Sequence, residues 1–424
     1  EVVEPFVYKG DVPYFQLFVP TVDTTRYGAV LELCLDVDKP TLLTGSAGVG
    51  KTSIIEVQIN NIRETKGLVP VTLNFSAQTT SIATQELIES KLEKKRKTRL
   101  GAAVGKKVVL FVDDCNLVAK ETYGAQPPIE LLRQYLDFKG FYDRKKLFWK
   151  DVENTVLVTA CGPPGGGRTS MTPRFTRHFN LLCVPQPSDL VVRKIFGSIV
   201  NGFLNDFSKD VQPLGRAMVD STVEIYGRIA QELLPTPAKT HYIFSLRDIS
   251  KVFQGVLMAR PGNVSNRAAV SRLWAHEVQR VFHDRLVSKE DKLYFTTMVH
   301  ELLKQKFDVR ETHDELFVDT RILFGDFLRM GTLPEDRVYE ESTDMGKLTK
   351  LLESYLEDYN NTSTQQMKLV FFMDCVEHVC RMARILRQPR GNAMLVGVGG
   401  SGKQSVTRFA CFLAEYQCFQ IELT

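Results

Sequence analysis

The sequence predicts an α/β fold in which helices cover a parallel sheet, followed by a helical domain and the beginning of a second α/β module. Apolar runs alternate with helical periods in the first half, the middle of the chain has helical periods only, and a glycine-rich loop occurs near each end. Runs that are apolar without interruption are typical of parallel strands buried on both faces. The candidate strands are residues 41–44, 71–75, 108–113, 155–161 and 181–184.

Helices and an inserted hairpin complete the first predicted domain, residues 1–206. A helix is predicted over residues 22–37, before the first strand. Residues 140–149 predict a hairpin, because aromatic residues flank a polar turn. The basic run at residues 91–99 is interpreted as a solvated helix end and loop, with a docking patch for an acidic partner as the alternative.

The rest of the chain predicts a helical domain and then a mixed segment. From about residue 187 to residue 287 the helical periods are broken at prolines, so we expect a helical small domain over residues 207–310. Residues 311–424 are expected to form a linker and the truncated start of a second module. The elements predicted there are helices at residues 347–359 and 367–386 and strands at residues 392–396 and 418–423.

Composition favours an intracellular globular protein without a nucleic-acid or membrane partner. The chain has 54 basic and 50 acidic side chains, which give a net charge of only +4, and its length fits two or three domains. No run of eighteen apolar residues predicts a membrane span. The eight cysteines occur singly, which is typical of a reduced protein without structural zinc. Because the first residue is Glu1 and the last predicted strand would lack a partner, we expect a segment of a longer protein.

A glycine-rich loop follows the first predicted strand and precedes a helical stretch. Glycines let the backbone curl so that successive N–H groups point at phosphate oxygens, while the lysine contributes a mobile positive charge. The hydroxyl of Thr52 is placed to ligate Mg²⁺. The loop therefore predicts a nucleotide site, against the alternative of a chance glycine-rich turn. Its residues are Gly45, Ser46, Ala47, Gly48, Val49, Gly50, Lys51, Thr52 and Ser53.

A second loop of the same type lies near the end of the sequence. Gln404 stands at the position of the magnesium-binding hydroxyl, and an amide oxygen is a bulkier and poorer ligand. Ser405 could replace it only through a shift in register. We therefore expect nucleotide binding with weaker Mg²⁺ coordination. The binding residues predicted here are Gly397, Gly400, Gly402, Lys403, Gln404 and Ser405.

Two adjacent carboxylates end the apolar strand at residues 108–113. In nucleotide hydrolases the first acid of such a strand holds Mg²⁺ through water, and the second orients the attacking water. These positions are Asp113 and Asp114. The sequence therefore predicts Thr52 and Asp113 as metal ligands and Asp114 as a catalytic residue. The alternative is a buried strand that runs into an acidic turn.

Five segments together resemble dynein heavy chains, and the resemblance covers essentially the whole sequence. The segments are residues 18–27, 45–52, 111–114, 160–168 and 244–255. More narrowly, the chain is similar to the third of the six AAA+ modules of the motor ring, and residues 390–405 are similar to the start of the fourth. The glycine-rich strings at residues 165–168 and 400–404 favour the axonemal branch.

The resemblance implies an AAA+ module with a large and a small domain and assigns further roles. Arg247 is implied to be the second sensor, which reaches the γ-phosphate. Arg177, or Arg174, is implied to be an arginine finger acting in trans on the neighbouring module, so the finger for this site would come from the next module. Asp114 stands where AAA+ sites carry glutamate, and Gly162 where many carry a polar first sensor. Slow hydrolysis is therefore expected.

These observations lead us to expect a regulatory module that binds ATP or ADP with Mg²⁺ and gates the main site of a microtubule motor. A fully competent ATPase and a structural module with trapped ADP are the alternatives. A GTPase is disfavoured because no N-K-x-D string occurs, and a nucleic-acid remodelling AAA+ protein because two modules are joined in one chain. The implied partners are neighbouring AAA+ modules of the same heavy chain, the microtubule through distant parts of the motor, and dynein light and intermediate chains. The implied location is the cytoplasm, the cytoskeleton and the axoneme of a cilium or flagellum.

Overall fold

The computed structural model describes residues 3–319, 321–363 and 365–421. It contains two compact units, one formed mainly by Phe18–Val191 and the other by Val7–Leu17 together with residues 192–421. The first is an α/β unit and the second is mainly helical. Throughout the described part of the chain, each helix is too short or too polar to cross a membrane. The domain boundaries at residues 206 and 310 stay predictions.

Strands and helices alternate along the first unit. In chain order its strands are β1 (Thr41–Thr44), β2 (Leu68–Asn74), β3 (Glu93–Arg96), β4 (Arg99–Gly101), β5 (Lys107–Asp113), β6 (Gly140–Tyr142), β7 (Trp149–Glu153), β8 (Thr155–Cys161) and β9 (Asn180–Cys183). Its helices are α1 (Val22–Asp36), α2 (Lys51–Ile62), α3 (Ser81–Ser90), α4 (Pro127–Phe138) and α5 (Pro173–Thr176), with a 3₁₀ helix at Cys115–Leu117.

Five parallel strands form the central sheet, in the order β2-β5-β8-β1-β9. Strand β5 divides its buried side chains between two cores: Val108, Leu110 and Val112 lie in one, Val109 and Phe111 in the other. Burial on both faces explains the uninterrupted apolar runs. The predicted α/β fold with a parallel sheet is confirmed, and the ends of the five predicted strands are shifted by at most three residues.

Helices on the two faces of the sheet supply the remaining core side chains. On one face α1 and α2 contribute apolar residues such as Leu31 and Ile55, and on the other α3 and α4 contribute Ile88 and Leu132. Because all five strands are parallel, the loops that follow β1, β5 and β8 lie at the same edge of the sheet. This edge carries the glycine-rich loop and the two carboxylates.

A second, four-stranded sheet has the order β3-β4-β7-β6. The hairpin predicted at residues 140–149 is confirmed as β6 and β7, in which Tyr142 pairs with Trp149. The interpretation of residues 91–99 as a helix end and loop is wrong, because α3 ends at Ser90 and the basic run forms β3 antiparallel to β4. All four β3 side chains are exposed, so their pattern gives no strand signal. Pairing with β4, whose Leu100 is buried, determines the conformation.

The second unit is built mainly from helices. They are α6 (Asp189–Leu204), α7 (Leu214–Glu232), α8 (Leu246–Val256), α9 (Arg267–Val281), α10 (Lys289–Phe307), α11 (His313–Phe317), α12 (Met345–Thr362), α13 (Met373–Arg387) and α14 (Lys403–Leu413). A two-stranded antiparallel sheet consists of β10 (Leu323–Gly325) and β11 (Glu340–Ser342), and 3₁₀ helices span Tyr14–Gln16 and His283–Arg285.

Two separate hydrophobic cores stabilise the second unit. The larger joins α6 to α11 around Trp274, whose indole N–H donates a hydrogen bond of 2.9 Å to Thr222 Oγ1. The smaller joins α12, α13 and α14 around Leu352 and Phe409. The predicted helical character of residues 187–287 is confirmed by α6 to α9. The two helices predicted after residue 307 are found as α12 and α13, the second beginning six residues later than predicted.

The two strands predicted around the second glycine-rich loop are not found. Residues 392–396 form no strand, and Met394 and Val396 are largely exposed. Residues 418–421 likewise form no strand, while positions 422 and 423 lie outside the described residues. A strand needs a neighbour to pair its backbone N–H and C=O groups. In the described part of the chain, neither segment is paired with another strand, so apolar character alone did not produce one.

Candidate nucleotide-binding site

The first glycine-rich loop connects β1 directly to α2. Gly48 and Gly50 have positive φ angles of 82° and 89°, which glycine adopts without the strain that a side chain would cause. A Cβ atom at Gly45 would lie 2.3 Å from the carbonyl oxygen of Val184, just after β9. Glycine at these three positions therefore lets the backbone pass close to the residue that follows β9 and then enter α2 through a tight turn.

Lys51 folds back over this loop. Its Nζ donates hydrogen bonds of 2.8 Å to the carbonyl oxygens of Gly45 and Ser46. Partial burial lowers the pKa of Lys51 below its ordinary value, and the carboxylates of Asp114 and Asp113 oppose that shift. Among the described residues, its ammonium group donates hydrogen bonds to two neutral carbonyl oxygens, and it can transfer these hydrogen bonds to an anion.

The start of α2 has backbone donors to offer to such an anion. Gly50 is its N-cap residue, and among the described residues no side chain caps this end. By contrast, Thr80 caps α3 and Asn266 caps α9 through their side chains. Uncapped N–H groups in the first turn, next to the lysine, fit the phosphates of a nucleotide.

Thr52 and Asp113 meet although 61 positions separate them. The Thr52 hydroxyl donates a hydrogen bond of 2.8 Å to Asp113 Oδ2, and Asp113 Oδ1 accepts one of 3.0 Å from the Asp114 N–H. Hydroxyl and carboxylate oxygens are ligands that Mg²⁺ accepts in nucleotide sites. The structure thus brings together the two predicted metal ligands, and the donor set fits Mg²⁺.

Asp114 has a left-handed backbone conformation, with φ 49° and ψ 42°, and precedes the 3₁₀ helix Cys115–Leu117. Aspartate tolerates this conformation better than most residues that have a Cβ atom. Its Oδ1 lies 3.1 Å from the NH2 group of Arg168, so the predicted catalytic carboxylate is engaged in an ion pair. From the sequence alone, Arg168 carries only part of the family resemblance, and no role at this site is predicted for it.

Arg168 lies against Gly162, the position at which the family resemblance implies a polar first sensor. A Cβ atom at Gly162 would lie 2.6 Å from Arg168 Nε and 2.7 Å from its Cδ. The arginine side chain therefore lies against the backbone at the position where a polar side chain was expected. The string of three glycines before Arg168 was the available sequence signal, because such a string predicts a chain reversal. It did not reveal what the returning side chain contacts.

The other predicted residues of the first site are placed as follows. Ala47 and Ser53 are exposed, and Val49 is partly buried in the loop. Arg247 is exposed in the first turn of α8, whose capping box is formed by Ser245 and Asp248. Arg247 belongs to the second unit, whereas the loop belongs to the first, and its sensor role stays a prediction.

The two candidate arginine fingers lie at and just after α5. The Arg177 NH2 group is 3.2 Å from Asp137 Oδ1, and the Arg174 NH2 group is 3.4 Å from Glu130 Oε1. Both arginine side chains are about two-thirds exposed, at 63% and 68%. Exposure leaves them accessible to a neighbouring module, and their role in trans stays a prediction.

The second glycine-rich loop repeats the backbone features of the first. Lys403 Nζ donates hydrogen bonds of 2.7 Å to the carbonyl oxygens of Gly397 and Val398, and Gly400 and Gly402 have φ angles of 75° and 77°. The loop is therefore shaped like a phosphate loop although the strand predicted before it is not formed.

The metal-binding side of this second loop differs from the first. Gln404 is exposed at the second position of α14, and Ser405 is partly buried beside it. In the described residues, no strand that ends in a carboxylate lies beside this loop. The pairing of Thr52 with Asp113 has no counterpart here.

Models of protein families match most of the chain. Residues 6–187 match "P-loop containing dynein motor region", residues 218–318 match "AAA+ lid domain", and residues 367–424 match "P-loop containing dynein motor region D4". The two matches to the dynein motor region together include more than half of the 424 residues. Membership of P-loop families implies nucleotide binding.

Curated relatives agree with these matches. The chain is 51% identical to human dynein axonemal heavy chain 6 over 423 residues, which is 100% of this chain and 10% of the relative. It is 43% identical to mouse dynein axonemal heavy chain 1 over 99% of the chain and 10% of the relative, and 41% identical to mouse dynein axonemal heavy chain 2 over 98% and 9%. The chain thus spans about a tenth of the length of these relatives. It belongs to the AAA motor region of axonemal dynein heavy chains.

Proposed function

We propose that the chain is the third AAA+ module of a dynein motor ring, joined to the start of the fourth. In this proposal the first loop binds ATP or ADP with Mg²⁺, hydrolyses ATP slowly and gates the main ATPase site elsewhere in the ring. The match of residues 367–424 to motor region D4 supports the module number. When bound, ATP supplies the cleavable phosphate bond, and Mg²⁺ neutralises part of the phosphate charge.

The observation that carries this proposal is the convergence of three features at one edge of the sheet. Lys51 lies over the loop, Thr52 contacts Asp113, and Asp114 pairs with Arg168. The first two features support binding of a nucleotide with its metal. The third places Asp114 at the same edge, where its side chain is shorter than the glutamate of other AAA+ sites, and this supports slow turnover.

The names of the relatives support proposals about the whole protein. They are axonemal heavy chains of dynein, so we infer that the complete protein is a microtubule motor of the cilium or flagellum axoneme. Its partners would be the neighbouring AAA+ modules and the microtubule, together with light and intermediate chains. A fully competent ATPase and a structural module with trapped ADP remain the alternatives.

Replacing Thr52 with alanine is expected to weaken the effect of Mg²⁺ on ATP binding about tenfold, which corresponds to the loss of roughly 1.4 kcal/mol from one ligand. In excess EDTA the variant and the native chain should bind ATP with similar affinity. Equilibrium titration with and without Mg²⁺ measures both. Thr65→Ala is the matched control, because Thr65 Oγ1, near the end of α2, donates its hydrogen bond to the Ile62 carbonyl oxygen and not to a carboxylate of the site. Equal Mg²⁺ dependence of Thr52→Ala and native protein would remove Thr52 from the metal site.

Replacing Asp114 with glutamate distinguishes a module that hydrolyses ATP slowly from a fully competent ATPase. If the short side chain limits the reaction, turnover in the complete heavy chain should rise by up to about a hundredfold, because a displacement of roughly 1 Å can cost that much. The rate of phosphate release, measured with the other sites inactivated, checks this. Asp114→Asn is the control and should reduce the rate further. An unchanged rate in Asp114→Glu would favour the competent ATPase.

A further inference from the structure

Arg168 is held in place by backbone contacts at both ends of its loop. Gly165, Gly166 and Gly167 have φ angles of 119°, 57° and 86°, and they reverse the chain so that Gly165 and Arg168 exchange backbone hydrogen bonds of 2.9 and 3.0 Å. Such a turn requires residues that adopt positive φ angles freely. The arginine therefore returns towards the end of β8 on a short, defined turn.

A buried asparagine fixes the base of this turn. Asn116 is 2% exposed, and its Nδ2 donates a hydrogen bond of 2.7 Å to the Gly162 carbonyl oxygen and one of 3.3 Å to the Thr169 carbonyl oxygen. The Thr169 N–H donates one of 2.9 Å back to the Asn116 carbonyl oxygen. The backbone on each side of Arg168 is thus anchored, while in the described part of the chain its side chain donates a hydrogen bond to Asp114 alone.

The guanidinium of Arg168 has unused hydrogen-bonding capacity. Its Nε is buried, and in the described residues it has no hydrogen-bond partner. The ion pair with Asp114 is partly exposed, at 27% for the arginine and 38% for the aspartate, so solvent weakens it. A phosphate group carries more charge and offers several oxygens to the planar fork of an arginine. A phosphate group can therefore replace the Asp114 carboxylate as the partner of Arg168.

Lys51 places a second cation near this guanidinium. Lys51 Nζ lies on the Gly45 carbonyl oxygen, whereas Arg168 lies against Gly162. These two glycines directly follow Thr44 and Cys161, which pair across the neighbouring strands β1 and β8. Two cations that converge beside a phosphate loop fit a ligand with several negative charges.

We propose that Arg168 recognises the third phosphate of ATP at this site, by exchanging the Asp114 carboxylate for that phosphate. This inference rests on the proposed nucleotide binding at the first loop. Gly162 leaves the space that the arginine occupies, and Arg168 replaces the missing first-sensor side chain. Binding of a triphosphate then frees Asp114 to orient water, whereas with ADP the arginine keeps Asp114 paired.

The test compares the affinities of ADP and of a non-hydrolysable ATP analogue, both with Mg²⁺. In the chain carrying Arg168→Ala, we expect the affinity for the ATP analogue to fall about tenfold or more, while the affinity for ADP changes less than about twofold. Arg168→Lys should lose part of the preference for the ATP analogue over ADP. Gly162→Ala should resemble Arg168→Ala, because its Cβ atom displaces the arginine. Arg99→Ala is the matched control, since Arg99 pairs with the carboxylate of Glu153, which lies outside the site.

The outcomes separate this inference from the proposed function. Selective loss of the ATP analogue in Arg168→Ala and Gly162→Ala supports a role in recognising the third phosphate. An unchanged ratio of the two affinities, or an equal loss for both nucleotides, overturns it while nucleotide binding at the loop stands. If Lys51→Ala binds both nucleotides as the native chain does, the nucleotide site itself is wrong. Circular dichroism of each variant without nucleotide checks that the fold is retained.

Discussion

Replacing Glu277 with alanine should lower the free energy of unfolding of the second unit by about 3–5 kcal/mol, because it leaves a buried arginine without its partner. Glu277 on α9 is fully buried, and its Oε2 accepts hydrogen bonds from Arg384 Nε, at 2.9 Å, and from Arg384 NH2. The Tyr339 hydroxyl donates a hydrogen bond of 2.8 Å to Glu277 Oε1. One carboxylate therefore joins α9 to α13 and to the residue before β11.

The surroundings of Glu277 leave no room for adjustment. A Cβ atom at Gly255 on α8 would lie 1.6 Å from Glu277 Oε2, so the glycine makes space for the carboxylate. Burial by itself would lower the pKa of Arg384, but the charge of Glu277 outweighs it and raises that pKa. A guanidinium remains protonated in proteins, so removing Glu277 leaves the Arg384 charge buried without its partner, and this uncompensated charge causes the loss of stability.

Urea unfolding, monitored by tryptophan fluorescence, measures this loss of stability in the second unit. The chain has two tryptophans, Trp149 in the first unit and Trp274 in the second, so a Trp149→Phe background reports on the second unit alone. Glu353→Ala, an exposed glutamate on α12, is the matched control and should change stability by less than about 0.5 kcal/mol.

A double substitution tests the cause of that destabilisation. Replacing Glu277 and Arg384 together with methionine should recover most of the lost stability, because no charge is then buried without a partner. If the double variant is as unstable as Glu277→Ala, packing rather than charge explains the effect. A Glu277→Ala variant as stable as the control would contradict the importance of the pair.

The phosphate loop and the acidic strand could be predicted because their chemistry is local. The spacing of glycines and lysine in residues 45–52 specifies the turn and the helix start. The apolar strand that ends in two carboxylates specifies the metal ligand and the catalytic residue. The contact of Thr52 with Asp113 then follows from the parallel sheet, because the loops after its strands lie at one edge.

The role of Arg168 could not be predicted in the same way. Its partner Asp114 is 54 positions away in the sequence, and no periodicity connects them. In the sequence, Gly162 indicates that the first-sensor position is empty, since glycine has no side chain that could hold water or phosphate. The structure shows that the glycine gives space to a side chain from another part of the chain.

The errors in secondary structure have a common cause. Within the basic run, residues 93–96 form a strand without any apolar signal, whereas residues 392–396 have an apolar signal without forming a strand. In both cases a neighbouring strand determines whether a strand forms. Strand β3 pairs with β4, whereas in the described residues no strand pairs with residues 392–396. Strand formation depends on context more than helix formation does.

Replacing Lys51 with alanine should weaken binding of Mg²⁺ with ATP or ADP at the first loop by about 100-fold. The lysine Nζ lies over the loop on the Gly45 and Ser46 carbonyl oxygens and can transfer its hydrogen bonds to phosphate. A charged hydrogen bond to phosphate contributes about 1.5–3 kcal/mol, and the variant loses two donors together with the positive charge. The fold should survive, because the lysine is only half-buried and makes no ion pair among the described residues.

Titration of a fluorescent ADP into the native chain, Lys51→Ala and Lys403→Ala measures this directly, since both lysines have the same loop geometry. The first loop has the Thr52 and Asp113 oxygens for Mg²⁺, whereas the second presents Gln404. We predict that the tight, Mg²⁺-dependent site persists in Lys403→Ala and is lost in Lys51→Ala. A tight site that persists in Lys51→Ala would contradict nucleotide binding at the first loop.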